Sequence, residues 1–210
     1  MLGSASPARL STLRAAGLDP EVIVSGVAED GIAADSPAAL AATLAELKAG
    51  AVAARLLADP HPAAGVTIVI GCDSVLELDG VAYGRPASAE AARAGWRRMR
   101  GATGVLHTGH RVIVLPDGAP GSGTGIPEVR AVTGTGSTVV RFARPTDEEI
   151  DAYVATGEPL RVAGGFTLDG LGGAFVDRVE GDPHNVVGIS LPLLRTLLAG
   201  LGIKWIDLWQ

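Results

Sequence analysis

Asp73 follows a run, Val66 to Cys72, in which Thr67 is the only polar residue. A short, unbroken apolar run reads as a strand buried on both faces. In open α/β sheets, ligands bind outside the carboxyl ends of the strands. Asp73 is therefore expected where the strand ends, at the mouth of a cleft. An acid there can hold a metal or activate a water molecule. The same residue would also suit the plain start of a turn.

A second group of residues could meet a phosphate. Gly3-Ser4-Ala5-Ser6-Pro7-Ala8-Arg9 puts hydroxyls and small residues at a helix start. Free N–H groups and the helix dipole favour an anion there, and Arg9 in the first turn can add a bidentate contact. An ordinary capped helix would look the same. Lys48 falls four residues after Leu44 and three before Ala51, on the apolar row of its helix. Such a lysine either snorkels to water or reaches into a cleft. Glu29, Asp73, Lys48 and Arg85 complete the set. Carboxylates suit Mg²⁺ or Mn²⁺, which take one or two acids plus substrate phosphates, and the bases would neutralise polyphosphate charge.

Other chemistries find no support. No stretch has the Walker A spacing, and Gly121-Ser-Gly-Thr-Gly125 lacks the strand-then-helix context of a dinucleotide site. His107 and His110 lie three apart on an expected strand and point to opposite faces. One cysteine cannot build a zinc cluster, and no Gly-x-Ser-x-Gly elbow occurs.

The elements that must position these residues follow from local signals. Ser6-Pro7 caps a helix that stops at Gly17. Met1-Leu2 is too short for a first core strand, so the natural chain is expected to start a few residues upstream. Val22 to Gly26 reads as a strand. Ser36-Pro37 opens a helix over 36–58 with Leu40, Leu44, Leu47, Ala51 and Ala54 on its apolar face. Asp79-Gly80 between apolar runs predicts a hairpin, closed by Gly84-Arg85-Pro86. Ser88 caps a helix to about Met99. Strands are expected over 106–115 and 129–142, separated by a loop at Pro116 to Pro127. Thr146-Asp-Glu-Glu149 is a capping box for a helix ending at Gly157. A glycine-rich segment, 164–173, precedes a strand over 175–179. Asp182-Pro183 turns, and a last helix runs over 190–199. The mixed order favours α/β, one long twisted sheet with helices on its faces.

The 210 residues suit a single domain, 1–210. A net charge of −6 advertises no surface for nucleic acid or anionic membrane. The lone Cys72 excludes an intramolecular disulfide and fits a reducing compartment. No apolar run is long enough to span a bilayer, and no signal peptide is evident, so a cytoplasmic protein is expected. There are 29 glycines, about twice average usage; beside strands they suit either close approach to a ligand or many turns.

Taken together, these segments resemble the Maf family of nucleoside triphosphate pyrophosphatases, over nearly the whole chain. The matching pieces are Gly3-Ser-Ala-Ser-Pro-x-Arg9, Glu29, Ala45-x-x-Lys48-Ala49, Gly71-Cys-Asp-Ser74, Gly84-Arg-Pro86, Thr146-x-x-Glu149-Ile-x-x-Tyr153, Ala163-Gly164, and Val187-Gly188 before Leu191-Pro192-Leu193. The segment from Arg161 to Gly173 resembles the actinobacterial branch most closely.

The resemblance implies an α/β fold of two lobes, similar to inosine-triphosphatase-like enzymes, with a long mixed sheet, flanking helices and a deep central cleft. It implies a homodimer that splits modified nucleoside triphosphates into monophosphate and pyrophosphate with a divalent metal, Mg²⁺ or Mn²⁺. It implies Asp73 as the proton acceptor for the attacking water and a metal site at Glu29 and Asp73. Ser4, Ser6, Arg9, Lys48 and Arg85 would hold the phosphates. The family is also linked to inhibition of septum formation, so a nucleotide-binding regulator of cell division is the alternative.

The chain departs from the family pattern at Ala8 for an arginine, Arg85 for a lysine, Gly104 for a histidine, Val162 for a lysine and Asp169 for a glutamine. Ala8, Ser74 and Asp169 occupy positions that sort the family by base. An ionised Asp169 accepts hydrogen bonds and suits purine or cytosine N–H groups better than a pyrimidine carbonyl. Trp205 and Trp209 suit core or dimer packing.

Overall fold

A computed structural model describes residues 1–29, 31–59, 66–116 and 129–210. The loop expected at 116–127 thus lies, apart from Pro116, outside the described residues. Among the described residues, five strands form one antiparallel sheet in the order β2-β1-β3-β4-β5. They are β1 (Thr67–Leu78), β2 (Val81–Tyr83), β3 (Thr103–Leu115), β4 (Arg130–Phe142) and β5 (Val176–Glu180). Among the described residues, six α-helices flank it: α1 (Pro7–Ala15), α2 (Pro37–Ala58), α3 (Ala89–Met99), α4 (Asp147–Ala155), α5 (Pro183–Val187) and α6 (Leu191–Gly200). The only parallel pairings among the described residues are isolated bridges from Leu2 to Val22 and to Ile70. No described helix is long and apolar enough to cross a membrane.

Local chemistry explains most of the elements. Ser6, Ser36, Ser88, Thr146 and Ser190 each accept a backbone N–H at the start of their helix. Thr146 and Glu149 form both halves of a capping box. Asp79 and Gly80 both have positive φ, as a two-residue hairpin turn requires.

Three expectations need correction. Val22 to Gly26 is not a strand: only Val22 makes a bridge. Asp182-Pro183 does not merely turn, since Asp182 caps the short helix α5. The apolar face of α2 is rotated from the leucine row: Ala41, Leu44, Ala45, Lys48, Ala49 and Val52 are buried, while Leu47 is exposed.

The reason for that rotation is close packing. A Cβ on Gly71 would stand 2.6 Å from the Ala45 carbonyl oxygen, and one on Gly109 only 2.1 Å from that of Ala41. Glycines in β1 and β3 thus let the alanine stripe of α2 lie almost on the sheet backbone. Here the glycines serve a helix rather than a ligand.

The core divides along the strands. One cluster joins Leu2, Leu13, Val112, Ile189 and Leu198; another, beneath α2, joins Val52, Leu56, Val69 and Ile113. At the far end, Trp96 is fully buried and meets Phe142, Tyr153 and Phe175 at edge-on angles. Its indole N–H donates to the Gly165 carbonyl at 2.8 Å, which pins the glycine-rich segment to this aromatic cluster.

Candidate active site

Asp73 does not end its strand. It lies in the middle of β1, paired with Gly109 of β3, because Ser74 to Glu77 continue the ladder. What opens the strand to a ligand is a gap on its outer edge. Gly3 bonds to Ile70 on one side of the gap, and β2 begins pairing at Leu76 on the other. Between them, Asp73, Ser74 and Val75 line a cleft of about 1310 Å³. Ser4, Ser6, Arg9, Glu29, Lys48, Arg85 and Asp169 line the same cleft.

Successive side chains on a strand point to opposite faces, so Asp73 and Ser74 lead to different partners. Asp73 faces α2. Its Oδ1 accepts from Lys48 Nζ at 2.5 Å, and the same ammonium meets Glu29 Oε1 at 2.7 Å. Asp73 and Lys48 are 7% and 9% exposed. The close approach of α2 therefore delivers Lys48 into the cleft, and it does not snorkel. Arg85 is mostly exposed and stands 3.7 Å from Glu29 Oε1.

Ser74 faces α1 and a chain of hydrogen bonds whose directions are forced. Thr108 donates its hydroxyl to the Asn185 carbonyl at 2.8 Å. The 2.9 Å contact between Ser74 and Thr108 must then be donated by Ser74. Ser74 Oγ also accepts from Arg9 Nη2 at 3.0 Å. Its proton is used inward, so toward a ligand Ser74 can only accept. Ser4 is the reverse case. Its Oγ accepts from Ser6 N and from Arg9 Nη1, which occupies both lone pairs and leaves the hydroxyl proton free to donate.

Arg9 is 9% exposed. Its Nε donates to Gly188 O at 2.7 Å, Nη1 to Ser4 Oγ and Cys72 O, and Nη2 to Ser74 Oγ. Of the five guanidinium donors, only one remains. In this way Arg9 ties α1, β1 and the turn after α5 together. It has no carboxylate partner among the described residues, and its positive charge lies beside the cleft.

Two neighbours are chemically quiet. Burial pushes the Cys72 thiol up to about 11, against the pull of Arg9, so it stays protonated and is a poor nucleophile. Burial lowers His110 to about 4. Its Nδ1 faces the Thr108 carbonyl and its Nε2 receives the Ser190 N–H, a pattern only the neutral ring satisfies. His107 lies on the other face, between Ser137 and Glu77.

Asn185 and Thr108 escaped sequence reasoning. The signal for Asn185 was present, since Asp182-Pro183 has the form of an N-cap followed by proline at the first helical position.

A family model described as Maf-like protein matches residues 1–201. A Streptomyces coelicolor protein named nucleoside triphosphate pyrophosphatase is 56% identical over 209 residues, covering 100% of this chain and 93% of its own length. Proteins of the same name from Streptomyces avermitilis and Cutibacterium acnes are 54% and 51% identical, covering all of this chain and 93% and 94% of their own lengths. Motif order, fold and full-length similarity agree, and the chain belongs to the Maf-like family.

Proposed function

We propose that the protein hydrolyses nucleoside triphosphates to the monophosphate and pyrophosphate; its relatives are named nucleoside triphosphate pyrophosphatase. The observation that carries this reading is the Glu29–Lys48–Asp73 cluster beside Arg9, set in the gap of a sheet edge. Asp73 is held through Oδ1 by Lys48, so Oδ2 is available as a base. It takes a proton as water attacks the α-phosphorus. The new P–O bond forms, the bond from the α-phosphorus to the α–β bridging oxygen breaks, and its electron pair leaves with pyrophosphate.

The donor set fits a divalent cation. No described group of three or more acids, histidines or cysteines forms a complete cage, and the point that Glu29 Oε1 and Asp73 Oδ1 share holds the Lys48 ammonium; Mg²⁺ needs only one or two carboxylates completed by substrate phosphates, and Glu29 and Asp73 supply two. Glu29 and Asp73 would hold the ion, which would polarise the phosphoryl oxygens and steady the developing charge. The Ser4 hydroxyl, the start of α1 at Ser6, the last free N–H of Arg9, and the Lys48 and Arg85 charges would cradle the polyphosphate.

Ser74 and the Asp169 carboxylate both accept hydrogen bonds, which favours a purine or cytosine base, modified forms included, over thymine or uracil. The test is a panel of nucleotides with Mg²⁺ or Mn²⁺ in isotopically labelled water. Equal amounts of monophosphate and pyrophosphate, with the label in the monophosphate, support the reading. Release of orthophosphate and diphosphate, or no turnover, overturns it.

A further inference from the structure

Glu158 is another carboxylate on the cleft wall, beside Glu29, Asp73 and Asp169, and it has no ion-pair partner among the described residues. Four neutral donors surround it instead. Its Oε1 accepts from Tyr153 Oη at 2.9 Å, Thr167 Oγ1 at 2.5 Å and Gly172 N at 3.1 Å, and its Oε2 accepts from Leu171 N at 3.2 Å. A carboxylate has about four acceptor positions, so little capacity is left for a metal or a proton. Burial alone would raise its affinity for a proton, yet the bonds from Thr167, Gly172, Tyr153 and Leu171 hold it below the usual carboxylate value.

Those donors flank one residue. Thr167 lies two positions before Asp169, and Leu171 and Gly172 lie two and three after it. Both ends of the segment are thus tied to a single carboxylate, and Asp169 stands at its tip on the cleft wall. The glycines fit the same purpose. A Cβ on Gly170 would stand 2.8 Å from Glu158 Oε2, and one on Gly172 only 2.4 Å from Tyr153 Oη. The segment closes on Glu158 only because these side chains are missing.

We propose that Glu158 is a positioning residue that clamps the 167–172 segment and so presents Asp169 to the nucleobase, setting base discrimination without touching the phosphates. This rests on the pyrophosphatase reading above. Glu158→Gln keeps the shape but turns an amide N–H toward donors that need an acceptor. Tyr153→Phe removes one donor and is the milder variant.

The experiment compares three quantities in wild type and both variants. They are KM for the best nucleotide, the ratio of kcat/KM between that nucleotide and one differing only in its base, and the inhibition constant of inorganic tripolyphosphate, which has no base. Glu158→Gln should raise KM about tenfold and shrink the base ratio by a similar factor. The tripolyphosphate constant should stay within about twofold, and Tyr153→Phe should move the same way by less. An unchanged base ratio, or tripolyphosphate binding that weakens in step with KM, overturns the proposal. Calorimetric binding of nucleotide and tripolyphosphate reads the same split without turnover, so failure of the hydrolysis reading remains distinguishable from failure of this one.

Discussion

Asp73 and Glu158 face one cleft but are held in opposite ways. Asp73 is buried and shares its oxygen with the Lys48 ammonium, which also serves Glu29. Glu158 is half-buried and is held by two hydroxyls and two backbone N–H groups, with no cation. An ion pair at one oxygen leaves the other open for chemistry, whereas the four donors around Glu158 reach both oxygens. Charge marks the half of the cleft proposed to hold polyphosphate. Neutral hydrogen bonds mark the half that shapes a loop. The two acids are alike in type, and only their surroundings separate them.

The difference can be broken most forcefully from the charged side. Lys48→Met leaves Asp73 and Glu29 facing each other without a cation, and removing one member of a buried pair costs about 3–5 kcal/mol. Urea unfolding should show that loss, and adding Asp73→Asn to Lys48→Met should recover part of it. A loss no greater than that of Thr167→Val would remove the contrast between the two halves.

Acid should act next, and on the same half. His110 supports Ser190 behind the Arg9 network and is neutral when folded. Its folded value is depressed, so the unfolded chain binds the proton first and stability falls as pH drops from 6.5 to about 4. The loss is about 3 kcal/mol across that window. Stability of His110→Gln, measured at the two ends of the window, should show a correspondingly smaller drop than wild type. Equal drops would mean that the ring does not carry the effect.

The smallest effect is expected on the other side. Thr167→Val removes one donor from Glu158, which costs about 1 kcal/mol, and should lower the thermal midpoint slightly while loosening base discrimination. A loss as large as that of Lys48→Met would show that the neutral cage also carries the fold.

Much of this was readable locally. The serine and threonine caps and the Asp79-Gly80 hairpin are signals a few residues long, and the structure places them as read. Lys48 was legible as a charge on a buried row because helical periodicity fixes its face. The site itself was less legible, for non-local reasons. Asp73 looked like the end of a strand, but pairing with β3 carries β1 on to Glu77. The opening lies instead where Gly3 and β2 leave its edge unpaired, which depends on contacts from elsewhere in the chain. Gly71 and Gly109 answer to α2, which no short window displays. Arg9 read as a phosphate fork, yet the chain itself uses four of its donors, from partners as distant as Gly188. Glu158 carried no local signal at all, because its meaning comes from a segment that folds back onto it.

The most direct measurement of the central claim is pyrophosphate release by Asp73→Asn beside wild type, on the best nucleotide with its metal. The substitution keeps the side chain's size and removes its capacity as a base. A fall in kcat of about 10² to 10⁴, with tripolyphosphate still bound, is the predicted result. A variant that releases pyrophosphate at the wild-type rate would contradict the account.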